Sequence, residues 1–120
     1  MTVDPTGSDL KRFLTDDPGG EVVMLNLLRF AEGGRPSYKR YAEEIRPFLE
    51  KVGGRVLYMG DCSTSLVPAD GTGWDAVLLV AYPSRRAFSA MVADPDYQHI
   101  THLRTEALEE AVLQATTPWA

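Results

Sequence analysis

Two segments of the chain are apolar at nearly every position, and this feature constrains the fold more than any other. From Val22 to Phe30, alternate residues form two sets, and both sets are apolar apart from Asn26 and Arg29. The segment Ala76 to Ala81 is apolar throughout. Because successive side chains of a strand point to opposite faces of its sheet, both segments predict strands that are covered on both faces. Such strands lie in the middle of a sheet.

Helical and strand periodicities elsewhere predict the element order α-β-α-β-β-α-α-β. The predicted elements are helix 8–16 capped by Ser8, strand 21–30, helix 35–52 kinked at Pro47, edge strand 55–68, loop 69–73, strand 74–82, a helix after the Ser84 cap, a helix from about Asp96 to Glu110, and strand 112–117. Without the leading helix, this is the order of a ferredoxin-like βαββαβ α+β sandwich. We therefore expect an N-terminal helical extension over residues 1–20 and a single domain over residues 21–117.

The apolar face that the helices leave open predicts a partner. In a four-stranded sheet of this plan, helices cover only one face, so the other apolar face needs a cover of its own. A second copy of the same sheet would supply it, and we expect a homodimer whose sheets pack face to face. The alternative is a central strand with a modestly exposed face and no partner.

Composition and charge exclude several functional classes. The chain has 120 residues, of which 44% are hydrophobic, and its formal net charge is −5. This size supports one domain with a core, and the acidic balance argues against a nucleic-acid surface. No apolar run reaches the roughly 18 residues of a membrane span, and the N-terminus is too polar for a signal peptide. With Cys62 as the single cysteine, we expect a cytoplasmic protein with no membrane partner.

Two polar residues interrupt apolar patterns. Asn26, the only asparagine, lies in the middle of the first strand, where a buried amide needs hydrogen-bond partners. It either orients a ligand oxygen or bonds a neighbouring loop. Arg104 falls within the apolar stripe of the last helix, where a buried guanidinium needs a carboxylate, carbonyls or an anionic ligand. Its alternatives are a structural ion pair or a side chain that extends to the edge of that face.

Aromatic and histidine residues supply the remaining candidates. Tyr38 and Tyr41 begin the apolar stripe of the long helix, and Tyr82 ends the third strand near the same rim. His99 and His102 share a helix face that lies mostly away from the stripe, and no third ligand is spaced to join them. His102 is a candidate proton carrier at the rim; the alternative is a surface histidine. Phosphate-binding glycine loops, GxSxG and HExxH patterns are absent from the sequence, so no nucleotide or metal is expected.

Several segments taken together resemble a known family. They are Val23-Met24-Leu25-Asn26-Leu27-Leu28-Arg29-Phe30, Tyr38-Lys39-Arg40-Tyr41, Gly53-Gly54-Arg55-Val56, Trp74-Asp75, Tyr82-Pro83-Ser84 and Asp94-Pro95-Asp96-Tyr97. Over residues 21–117 the chain resembles the domain of unknown function 1330 family of the dimeric α/β-barrel superfamily. The resemblance implies a ferredoxin-like fold and a sheet-to-sheet dimer. The superfamily includes cofactor-free monooxygenases, lactone isomerases and haem proteins. Haem members usually offer an inward histidine, which this chain is not expected to have.

The cleft between sheet and helices is the expected site, with two functional hypotheses. In the first, the protein is a cofactor-independent enzyme of monooxygenase or isomerase type, acting on a small aromatic or enolisable molecule. Arg104 would bind a carboxylate or stabilise an enolate, Asn26 would orient an oxygen, and Tyr38 or Tyr41 would relay a proton. In the alternative, the protein is a non-catalytic small-molecule-binding or structural dimer. An unpaired Arg104 favours an enzyme, an Arg104 paired with an acid favours a binder, and a filled cleft favours neither.

Overall fold

The sheet is built around the two segments that are apolar on both faces. In the computed structural model, which describes residues 3–67 and 73–119, four antiparallel strands lie in the order β2-β3-β1-β4. The elements, in chain order, are α1 (Gly7–Thr15), β1 (Val22–Phe30), α2 (Arg35–Glu44), α3 (Arg46–Val52), β2 (Arg55–Asp61), β3 (Ala76–Tyr82), α4 (Arg85–Ala93), α5 (Pro95–Gln98), α6 (Thr101–Ala107) and β4 (Leu108–Thr116). The predicted βαββαβ sandwich with an extra N-terminal helix is confirmed.

The register of the central strands separates a covered face from an open one. Asn26 lies opposite Leu78, and this set of side chains is buried beneath the helices. On the other face, Leu25 lies opposite Leu79 and Leu27 lies opposite Val77. These four side chains are only half-buried. The sheet therefore has an apolar core on one side and an apolar surface on the other.

The long predicted helix divides in two where proline requires it. Helix α2 ends at Glu44 and α3 begins at Arg46, with Pro47 in its first turn. Proline lacks the N–H that would continue the hydrogen-bond ladder, so the predicted kink is a break. Gly53 ends α3 with φ of 77°, a left-handed conformation that glycine adopts without steric cost.

Several predicted boundaries are wrong, and the single helix predicted from about Asp96 is divided into α5 and α6. The cap of α1 is Thr6 and not Ser8, because Thr6 and Asp9 form a reciprocal capping box. The strand predicted over 55–68 ends at Asp61, while residues 68–72, which include most of the predicted loop, lie outside the described residues. The last helix ends at Ala107 and not near Glu110. The Ala107 carbonyl accepts a hydrogen bond from Ala31 at 2.8 Å, and the chain then pairs with β1 from Leu108 onward.

The N-terminal helix is docked against α4. The Phe13 ring meets Phe88 edge-on with centroids 5.5 Å apart, and Arg85 donates to the Phe13 carbonyl at 2.8 Å. The preceding residues, Val3 and Asp4, reach α6. The N-terminal segment therefore borders the space between the helices and the sheet. Among the described residues, no helix is both long and apolar enough to span a bilayer.

Candidate functional site

A cavity of about 440 Å³, called here the main cavity, lies between the helices and the covered face of the sheet. Its floor comes from all four strands of the sheet, with Met24, Asn26 and Leu78 among the residues that form it. All the helices except α1 contribute to its walls, which are mainly apolar and aromatic. This volume falls within the range of roughly 300–1,000 Å³ that small-molecule sites occupy. The cleft is therefore not filled by its own aromatic side chains.

Arg104 is the charged centre of this cavity. The residue is 6% exposed, because it lies on the inward face of α6 between buried Leu103 and Ala107. Its Nη1 donates to the Asp4 carboxylate at 2.9 Å and to the Val3 carbonyl. Its Nη2 is buried and has no hydrogen-bond partner among the described residues. An unsatisfied buried donor costs about 1–3 kcal/mol, so one of the three guanidinium nitrogens would gain from a further partner.

Three tyrosines surround Arg104. The Tyr41 and Tyr97 hydroxyls share a hydrogen bond of 2.7 Å, and the rings of Tyr38 and Tyr41 lie 5.5 Å apart. Burial raises the pKa of Tyr38 to about 12, although the positive charge of Arg104 acts in the opposite direction. Burial likewise raises the pKa of Tyr41 and of Tyr97 above the usual tyrosine value. All three hydroxyls therefore hold their protons near neutral pH and can donate hydrogen bonds.

Asn26 lies in the cavity floor. The residue is 9% exposed, and its Nδ2 donates to the carbonyl of Met24, two residues earlier, at 3.3 Å. Its side chain thus bonds its own strand and also lines the cavity. Both sequence-based interpretations, a ligand-orienting amide and a structural one, remain predictions.

The last two candidates, Tyr82 and His102, lie in different places. Tyr82 is buried and lines the main cavity, where its ring meets Phe88 edge-on at 5.1 Å. Burial raises the pKa of Tyr82. His102 is exposed and is not among the lining residues, so the fold does not bring it to the other candidates. In the described part of the chain, no group of three or more His, Cys, Asp and Glu residues could hold a metal ion.

Two residues that the sequence reasoning did not single out belong to the site. Tyr97 lies seven residues before Arg104 on the apolar stripe of the predicted last helix. This spacing places both side chains on the same face of that helix, and Tyr97 could have been predicted from it. Asp4 had no comparable signal, because it is 100 residues from its partner. Asp4 and Pro5 also line a second cavity of about 620 Å³, called here the side cavity, which lies beside α1.

Comparisons with known proteins agree with this fold. The model of the family described as Domain of unknown function (DUF1330) matches residues 32–116. A protein of unknown function from Rhodopseudomonas palustris is 30% identical, with a TM-score of 0.89 over 99% of this chain and 98% of that one. No curated protein gives a match.

More distant structures share the fold alone. A dabb family protein with a ferredoxin-like fold from Mesorhizobium loti is 12% identical, with a TM-score of 0.57 over 85% of this chain and all of that one. A dimeric protein of unknown function with a ferredoxin-like fold from Bacteroides fragilis is 13% identical, with a TM-score of 0.56 over 80% of this chain and 94% of that one. The fold is therefore ferredoxin-like.

Proposed function

The chain belongs to the domain of unknown function 1330 family, and from that premise we propose that it binds a small, mainly apolar molecule carrying an oxygen acceptor in the main cavity. The observation that carries this proposal is the buried Nη2 of Arg104, which has no partner in the described part of the chain and lies beside a cavity of ligand size. An oxygen of the ligand would satisfy that donor. An aromatic or other flat apolar body would fill the space between the tyrosine rings and the sheet.

The binding proposal is favoured because Arg104 is already paired. Asp4 offsets much of the guanidinium charge, and a paired arginine is the arrangement expected of a binding site. Among the described residues that line the main cavity, Asp4 is the only carboxylate, and there is no histidine or cysteine. General-base chemistry therefore has few candidates in this cavity.

A second candidate function, catalysis without a cofactor, is favoured by the hydroxyl pair of Tyr41 and Tyr97. Since both hydroxyls hold their protons, the supported step is ketonisation of an enol whose oxygen Arg104 binds. The Tyr41 proton forms the new C–H bond, the enol O–H bond breaks, and its proton restores the Tyr41 phenol. This step is an isomerisation and needs no oxidant. Monooxygenase chemistry on an aromatic or enolisable molecule remains a prediction from the sequence.

The ligand proposal is tested with phenylpyruvate, which is aromatic and enolisable and carries a carboxylate. Isothermal titration calorimetry should detect binding to the wild-type protein and its loss in Ala42→Phe, because Ala42 lines the cavity and the larger side chain would project into the space of the ligand. The matched control is Ala90→Phe, at an exposed position of α4 outside the cavity lining. Equal binding by both variants, or none by the wild type, would refute the proposal.

The catalytic candidate is tested with the same compound. The absorbance of freshly dissolved phenylpyruvate enol should decay faster with the protein than without it, and Tyr41→Phe should remove the acceleration while phenylpyruvate still binds. An acceleration that survives in Tyr41→Phe, or none in the wild type, would refute this candidate and leave the binding proposal standing.

We also propose that the open sheet face pairs with a second copy of the chain. The support is the set of half-buried side chains that includes Leu25, Leu27 and Leu79, together with Tyr58, which is 55% exposed. Leu79→Lys would place a charge at the centre of this face, and sedimentation velocity should show a dimer becoming a monomer. A wild-type monomer would refute the proposal.

A cytoplasmic location and a domain boundary near residue 20 rest on the sequence and are proposed on that basis alone.

A further inference from the structure

Among the described residues, three hydrogen bonds hold the N-terminal segment, residues 3–5, across the site. Arg104 Nη1 donates to the Asp4 carboxylate at 2.9 Å and to the Val3 carbonyl. Thr105 Oγ1 donates to the other Asp4 oxygen at 2.8 Å. Asp4 and Pro5 line both the main cavity and the side cavity, so this segment stands where the two cavities adjoin.

The pairing of Asp4 with Arg104 uses only part of the guanidinium. Asp4 engages Nη1, whereas Nη2 is buried without a partner among the described residues. A carboxylate that spans Nη1 and Nη2 makes two parallel charge-assisted hydrogen bonds, which is the stronger geometry. The Asp4 side chain is 42% exposed, so its carboxylate regains water readily when it leaves. An incoming carboxylate therefore has the advantage over Asp4 at this position.

From this geometry we propose that Asp4 holds the place of a ligand carboxylate, so that the natural ligand is a carboxylic acid which displaces Asp4 from Arg104 and releases residues 3–5. The inference rests on the proposed function and adds the ligand class and an internal competitor. Because the released segment lies between the two cavities, its movement also joins them and makes room for a ligand longer than the main cavity. Asp4 thereby sets both the affinity of the site and the charge that it selects.

The test compares phenylpyruvate with phenylacetone, its analogue without the carboxylate, by isothermal titration calorimetry. Thr105→Val frees one Asp4 oxygen without changing any charge, and Asp4→Asn removes the competing anion. Both variants should bind phenylpyruvate more tightly, by about twofold and about fivefold respectively, since a partly exposed ion pair opposes binding only modestly. Neither variant should bind phenylacetone more tightly. Asp61→Asn is the matched control, because it removes an exposed carboxylate that pairs with Arg35 instead.

The rate of amide hydrogen exchange distinguishes displacement of Asp4 from a simple effect of its charge. In the wild-type protein, phenylpyruvate should speed amide exchange in residues 3–9, because displacement of Asp4 frees the segment that leads into α1. Unchanged or slower exchange, unchanged affinity in Thr105→Val and Asp4→Asn, or equal affinity for phenylacetone would overturn this inference while the proposed function stands. Failure of the wild type to bind phenylpyruvate would overturn the proposed function and this inference with it.

Discussion

Replacing Arg104 with methionine separates a ligand-binding arginine from a structural one. The substitution removes the buried Nη2 donor, whose lack of a partner costs about 1–3 kcal/mol. Removal of this donor therefore stabilises the folded state. It also removes an ion pair with Asp4, whose side chain is 42% exposed, and such pairs contribute about 0–1 kcal/mol. Loss of the hydrogen bond to Val3 costs about another 1 kcal/mol. We therefore expect Arg104→Met to leave the free energy of unfolding between about 1 kcal/mol lower and about 2 kcal/mol higher than in the wild type.

Urea denaturation followed by circular dichroism measures this change. Leu103→Ala is the reference variant for the loss of a side chain that stabilises the fold. Leu103 is the neighbour of Arg104 and equally buried, so its truncation should cost about 2–5 kcal/mol. Arg104→Met should at the same time abolish phenylpyruvate binding. A loss of about 3 kcal/mol or more in Arg104→Met would mean that the guanidinium holds the fold together, which would refute the reasoning that it serves a ligand.

Three further predictions concern the surroundings of the site. Gly34→Ala should lower stability by about 1–3 kcal/mol in a thermal melt, because its Cβ would overlap the backbone where α6 ends; Gly7→Ala, which meets no neighbouring atom, should not. Tyr41→Phe should cost about 1–3 kcal/mol, since it leaves the buried Tyr97 hydroxyl without its partner, and the double variant Tyr41→Phe/Tyr97→Phe should cost less than the sum of the two single variants. Burial raises the pKa of Tyr38 to about 12, above the value of about 10 in an unfolded chain, so stability should be intact below pH 10 and fall as the pH rises towards 12. The tyrosinate absorbance of the buried tyrosines should appear together with unfolding; ionisation of these buried tyrosines in the folded protein would contradict this.

The architecture could be predicted because it follows from local patterns. The strands β1 and β3 are apolar on both faces, and such strands have few places in a four-stranded sheet other than its centre. The helix break before Pro47 and the glycine at the end of α3 follow from backbone chemistry at single residues. The end of α6 could not be predicted in the same way. Its position depends on a hydrogen bond between Ala31 and Ala107, which are far apart in sequence.

Only part of the candidate site could be predicted from the sequence. Arg104 could be found because it interrupts an apolar stripe, and Tyr38 and Tyr41 because they begin one. Periodicity places a side chain on a face of its own element but does not say which distant residue meets it. The contact of Arg104 with Asp4 joins opposite ends of the chain, and no local pattern contains it.

The central claim, that the main cavity holds a small molecule, is tested most directly by native mass spectrometry of protein purified gently from the organism that produces it. We expect a small adduct of constant mass on the wild-type protein and its absence from Ala42→Phe, whose larger side chain would project into the space of the ligand. The adduct mass would then identify the ligand. An adduct retained in full by Ala42→Phe, or a wild-type protein that stays bare even when phenylpyruvate is added, would contradict the account.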